Sequence, residues 1–118
     1  MKILIIDDSF FARKIIKSFI AKDQGYEISE AENGKEGLEK FKEVCPDVTF
    51  LDLQMPVMGG IECLKEIMQV DSKAKVIVVT AAIKSESTTK VEELGAFRRI
   101  NKPPTKEEIV RALMDVQA

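Results

Sequence analysis

Five short stretches rich in β-branched and aliphatic residues, KILIID, YEISEA, DVTFLD, KVIVVT and FRRIN, alternate with longer segments of a different rhythm. In the longer segments apolar residues recur every three or four positions, as on one face of a helix. The stripes are Phe11, Ile15 and Phe19; Leu38, Phe41 and Cys45; Ile61, Leu64 and Ile67 or Met68; Val91 and Leu94; and Ile109, Leu113 and Val116. The first, third and fourth short stretches are nearly continuous apolar runs, the pattern of strands buried on both faces. A strict strand and helix alternation then predicts an α/β fold, (βα)5, in which a doubly wound parallel sheet carries helices on both faces through right-handed crossovers.

Punctuation agrees with that layout. Ser9 is placed to cap the first helix, Thr105 and Glu108 have capping-box spacing, and Gly25, Gly34, Gly60 and Gly95 fall at the expected breaks. The 118 residues suffice for one core, and no linker or repeat divides them, so a single domain spanning 1–118 without an attached output domain is expected. A net charge of −2 gives no basic field, which argues against direct nucleic-acid binding. No stretch has the length of a signal-peptide core or a membrane span, so the expected setting is the cytoplasm. Cys45 and Cys63 form no ligand cluster and are expected to be buried, reduced thiols, and the absence of His removes imidazole chemistry.

Strands of a parallel sheet end along one edge, where open α/β folds bind ligands. Asp7 and Asp8 end the first strand, Asp52 the third, Thr80 the fourth, and Lys102 follows the fifth. Singly, each has an ordinary reading as a strand-end polar group, a helix cap or a surface charge. Together they place hard oxygen ligands suited to Mg²⁺ beside an ammonium suited to a phosphoryl group. With no His, no reactive Cys and no Gly-rich phosphate loop, the available nucleophile is a carboxylate, and Asp52 lies between the acid pair and Lys102. Thr80 would offer its hydroxyl to the new phosphate.

The acid pair at 7 and 8, LDLQMPVMGG at 51–60, VVTAA at 78–82 and NKPP at 101–104 together resemble the receiver domain of two-component response regulators, in the single-domain form typified by chemotaxis CheY proteins. The resemblance covers essentially the whole chain. It implies a flavodoxin-like fold with strand order 2-1-3-4-5, with Asp52 as phosphoacceptor and Asp7, Asp8 and Asp52 as Mg²⁺ ligands completed by the backbone carbonyl of Gln54. Thr80 corresponds to the switch hydroxyl, Lys102 to the lysine that pairs with the phosphoryl group, and Pro103 to a proline that usually follows a cis bond. Gln54 and Ala82 would flank the path of the hydrolytic water.

The implied function is a signalling switch, not an enzyme with a separate substrate. A sensor histidine kinase or histidine phosphotransfer protein donates the phosphoryl group, and the fourth and fifth helices with the fifth strand change their surface toward a downstream protein, in a monomer or weak dimer. Two positions depart from the family. Gly59 stands where Asn or Asp is common, and Arg99 replaces the usual switch Tyr or Phe. Alternation in FRRIN puts Phe97, Arg99 and Asn101 on one side, and Arg99 is expected to stay outward, where Arg98 and Lys102 add to a basic output face.

Other classes remain open on residues alone. A degenerate receiver would act as a phosphorylation-independent interaction module. A phosphohydrolase of the haloacid-dehalogenase type would carry a second Asp where this chain has Gln54. A flavodoxin-like electron carrier is disfavoured by carboxylates where a flavin phosphate would rest.

Overall fold

A computed structural model describes residues 1–20, 25–81 and 85–118. Strands and helices alternate throughout: β1 (Lys2–Ile6), α1 (Phe10–Phe19), β2 (Glu27–Ala31), α2 (Gly34–Val44), β3 (Val48–Leu51), α3 (Gly60–Val70), β4 (Val76–Thr80), α4 (Ser85–Glu93), β5 (Arg98–Asn101) and α5 (Lys106–Gln117). The strands form one parallel sheet in the order β2-β1-β3-β4-β5. The three continuous apolar runs are its three interior strands, as complete burial on both faces requires. At the edges, β2 carries Glu27 and Glu30 and β5 carries Arg98 and Arg99.

Period-two alternation divides the core into two layers. Ile3, Ile5, Phe50, Ile77, Val79 and Ile100 pack under α1 and α5. Leu4, Ile6, Leu51, Val76 and Val78 pack under α2, α3 and α4, where Phe41, Leu64, Ile67 and Val91 meet them. The Thr105–Glu108 capping box is formed at the start of α5. At Gly60 a Cβ would collide with the carbonyl oxygen of Asp52, and at Gly34 with that of Met58. These two glycines are therefore required by close backbone approach around the β3–α3 loop.

Three expectations about packing and burial need correction here. In α1 the buried face is Arg13 and Ile16, continued by Ile20, while Phe11 is 73% exposed and Ile15 42%. Ser9 Oγ accepts the Ala12 N–H and fixes where the helix starts, and so which face meets the sheet. Cys45 is exposed, because it ends α2 in the left-handed region at φ 51°. Cys63 is buried, and desolvation, with Glu62 and Glu66 nearby, pushes its thiol up to about 12. Phe97 packs with the layer containing Ile100, since it precedes β5 and escapes the strand's alternation.

Candidate active site

Hydrogen bonding continues past the ends of β1 and β3 and fixes the two acids there. The Asp7 N–H donates to the Ala31 carbonyl at 3.1 Å, and the Asp52 N–H donates to the Ile6 carbonyl at 3.0 Å. Both residues are buried, whereas Asp8 is exposed. Carboxylate oxygens of Asp7, Asp8 and Asp52 lie within 4.8 Å of one another. Lys102 Nζ donates to Asp7 Oδ2 at 2.8 Å and sits 3.5 Å from Asp52 Oδ1. Its backbone N–H donates to the Thr80 carbonyl at 3.0 Å, and the Lys102–Pro103 bond is cis. Thr80 is fully buried at the end of β4, opposite Asn101 in the register.

Burial raises the Asp52 carboxyl above its ordinary range, and the charge of Asp7 adds to this; Lys102 and the Gln54 N–H oppose without cancelling it. Burial depresses the Lys102 ammonium, but its bond to Asp7 and the charges of Asp52 and Asp7 overcome that and hold it above its usual value. Three acids against one ammonium leave two negative charges, and burying charge without a partner is costly. The donor set fits a hard divalent cation. Magnesium takes a few carboxylates and keeps several waters, and the exposed side of Asp8 leaves room for them.

The structure thus brings together Asp7, Asp8, Asp52 and Lys102, with Thr80 buried at the neighbouring strand end and the Gln54 N–H on the side of Asp52 where it lowers the carboxyl. Ala82 lies outside the described residues. One residue at the site has no signature motif in the sequence. Arg13, 7% exposed, donates through Nη1 to the Asp7 carbonyl at 2.6 Å and through Nε to Glu30 Oε1 at 2.9 Å. Its spacing of three to Ile16 and seven to Ile20 was the available signal.

Residues 3–114 match the response regulator receiver domain. The chain belongs to the response regulator receiver family. Among curated relatives, the receiver is 41% identical to chemotaxis protein CheY of Thermotoga maritima, covering 98% of this chain and 96% of that protein. It is 38% identical to CheY of Bacillus subtilis, over 95% and 93%. A solved CheX–CheY–BeF3–Mg²⁺ complex from Borrelia burgdorferi contains a chain that superposes with a TM-score of 0.91 at 32% identity, covering 100% of this receiver and 90% of that chain. The flavodoxin-like fold and strand order expected from the sequence are therefore borne out. Among the described residues, no helix is long and apolar enough to cross a membrane.

The expected basic output face is not what the receiver presents. Lys102 is turned into the acid pocket, and Arg98 is ion-paired with Asp115 of α5. Arg99 is half-buried with its Nε shielded from solvent, on the Val78 side of the sheet. A guanidinium carries a long apolar stem, so a position facing a helix can cover the stem and take the head partly with it.

Proposed function

We propose that this receiver is a phosphorylation-controlled switch in which Asp52 accepts a phosphoryl group from the phosphohistidine of a sensor kinase or histidine phosphotransfer protein. The observation that carries the reading is the placement of Asp52, buried beside two further acids and 3.5 Å from the Lys102 ammonium. Asp7, Asp8 and Asp52, with the Gln54 carbonyl, would hold Mg²⁺, and the Mg²⁺ in the related CheY complex supports that choice. When bound, the cation offsets charge on the transferring oxygens.

An Asp52 carboxylate oxygen attacks phosphorus as the donor N–P bond breaks. The electron pair of that bond stays on the imidazole nitrogen, which takes a proton from solvent. Lys102 faces the developing charge from the other side, so this transfer is served by positioning and electrostatics. The exposed Phe10, Phe11 and Ile15 on α1 give a donor protein an apolar surface near the pocket.

Thr80, at the end of β4, is bonded through its carbonyl to the Lys102 N–H after β5. A shift of the Thr80 hydroxyl toward the phosphate would therefore be felt in α4, β5 and α5, the surface read by a downstream protein. The CheX bound to the related CheY is consistent with a protein as the reader.

Incubation with Mg²⁺ and acetyl phosphate, followed by intact mass measurement, tests the reading. Wild type is expected to gain one acid-labile phosphoryl group and Asp52→Asn none. Equal labelling of the variant would remove Asp52 from the central role. Lys102→Ala is expected to slow labelling while leaving Mg²⁺ binding largely intact.

A further inference from the structure

We propose that Arg13 is a positioning residue for the metal-binding acids, fixing the peptide that joins Asp7 to Asp8; the inference rests on the metal-dependent reading above. The position itself raises the question. Arg13, Ile16 and Ile20 form the inward face of α1, and an aliphatic side chain at 13 would bury with no polar group to satisfy. A buried guanidinium is costly unless its donors are used.

Its donors are used in a specific way. Nη1 reaches the Asp7 carbonyl at 2.6 Å, and Nε reaches Glu30 Oε1 at 2.9 Å. Glu30 lies on β2 opposite Ile5 of β1, and its other oxygen accepts from Lys17 Nζ at 2.9 Å. The planar fork is thus held in place by Glu30 while its end pins a peptide oxygen. Lys102 makes the contrasting choice and bonds directly to the Asp7 carboxylate. Arg13 restrains the backbone between the two acids and leaves their carboxylates to a cation. Mg²⁺ requires near-ideal octahedral geometry at short distances, so drift of this peptide translates into lost affinity.

The alternatives are that Arg13 acts only through its charge, or only as a brace for the fold. Arg13→Lys separates them, since it keeps the charge and loses the fork; Arg13→Met removes both. Mg²⁺ affinity by calorimetry, metal-free melting, and acetyl phosphate labelling across Mg²⁺ concentrations would be measured on wild type and both variants. Arg13→Lys is expected to weaken Mg²⁺ binding about tenfold, the lower end for residues that orient metal ligands. Labelling at saturating Mg²⁺ should stay within about twofold of wild type, the split expected when binding is lost and the chemical step is not. Unchanged Mg²⁺ affinity in Arg13→Lys overturns the proposal, whether or not Arg13→Met differs or melting falls. Should Arg13→Met fail to fold, Arg13→Lys alone decides. A wild type that binds no Mg²⁺ overturns the metal-dependent reading as well, and is seen before any variant is compared.

Discussion

Two clusters of charge meet at Asp7 and are built on opposite terms. At the sheet edge Asp7, Asp8 and Asp52 share one ammonium, Lys102. One step away, between α1 and β2, Arg13 and Lys17 share one carboxylate, Glu30, each at 2.9 Å. In the second cluster the charge is matched locally: both oxygens of Glu30 have a cation, and Arg13 Nη1 ends on the Asp7 carbonyl. In the first, negative charge exceeds what the neighbouring side chains offset, yet two of its acids are buried. Charge that a fold leaves uncompensated in a buried place marks a ligand; charge that it balances locally marks a support.

That contrast can be broken most forcefully with metal. If Mg²⁺ reaches about 100 times its dissociation constant, linkage stabilises the receiver by roughly 2.7 kcal/mol. Melting should rise with Mg²⁺ and return with chelator, and Glu30→Gln, which keeps an amide oxygen to accept from Arg13 Nε, should retain most of the rise. A melting curve indifferent to Mg²⁺ would leave the two clusters without the difference drawn between them.

A smaller effect separates them in the metal-free protein. Asp52→Asn should stabilise it by about 1 kcal/mol in urea unfolding, the scale of a screened charge interaction within a protein. The pH dependence follows from the raised carboxyl. Between the ordinary value of 3.8 and the higher folded value the native state holds the extra proton, so stability falls as pH rises through that window. Asp52→Asn should abolish this fall.

Glu30 should do the reverse. Burial raises its carboxyl, but hydrogen bonds from Lys17 and Arg13, and their charges, win and hold it below the usual 4.5. Its contribution is present above that value and is lost as pH falls through the lower folded one. Glu30→Gln should remove this acid-side loss and cost about 0.5–1 kcal/mol at neutral pH, as for a partly exposed pair. Variants at 52 and 30 that bend the pH curve in the same direction would contradict the comparison. Smallest of all, Lys17→Met should cost about 0.3 kcal/mol, a difference that vanishes in about 1 M salt, where exposed charges are screened within a few ångströms.

What the sequence made legible follows from topology. Apolar runs at 3–6, 48–51 and 76–79 can be interior only in a doubly covered sheet, and parallel strands must gather their ends, so Asp7, Asp52, Thr80 and Lys102 could be grouped before any distance was known. What stayed hidden depends on rotation and on partners. The large apolar residues Phe11 and Ile15 suggest the stripe of α1, whereas a guanidinium with one buried and one half-buried acceptor occupies the inward place. A charged residue reads as solvent-facing until its partners are seen, and those at Asp7 and Glu30 come from other elements. Arg99 departs from the expected outward place for a related reason, its stem being long enough to lie under cover. Cys45 belongs to the apolar period of α2 but falls where the backbone turns left-handed, which periodicity does not register.

The Lys102–Asp7 bond spans 95 residues of sequence. A contact between residues that far apart carries a loop-closure cost that the rest of the sheet must offset. A chain emerging from the ribosome therefore has Asp7 and Asp52 long before it has Lys102, and cannot form this site until the last strand has docked. Assembly of the acid pocket with its ammonium is thereby tied to completion of the sheet, and fraying at β5 would take the pocket apart while the other four strands remain paired.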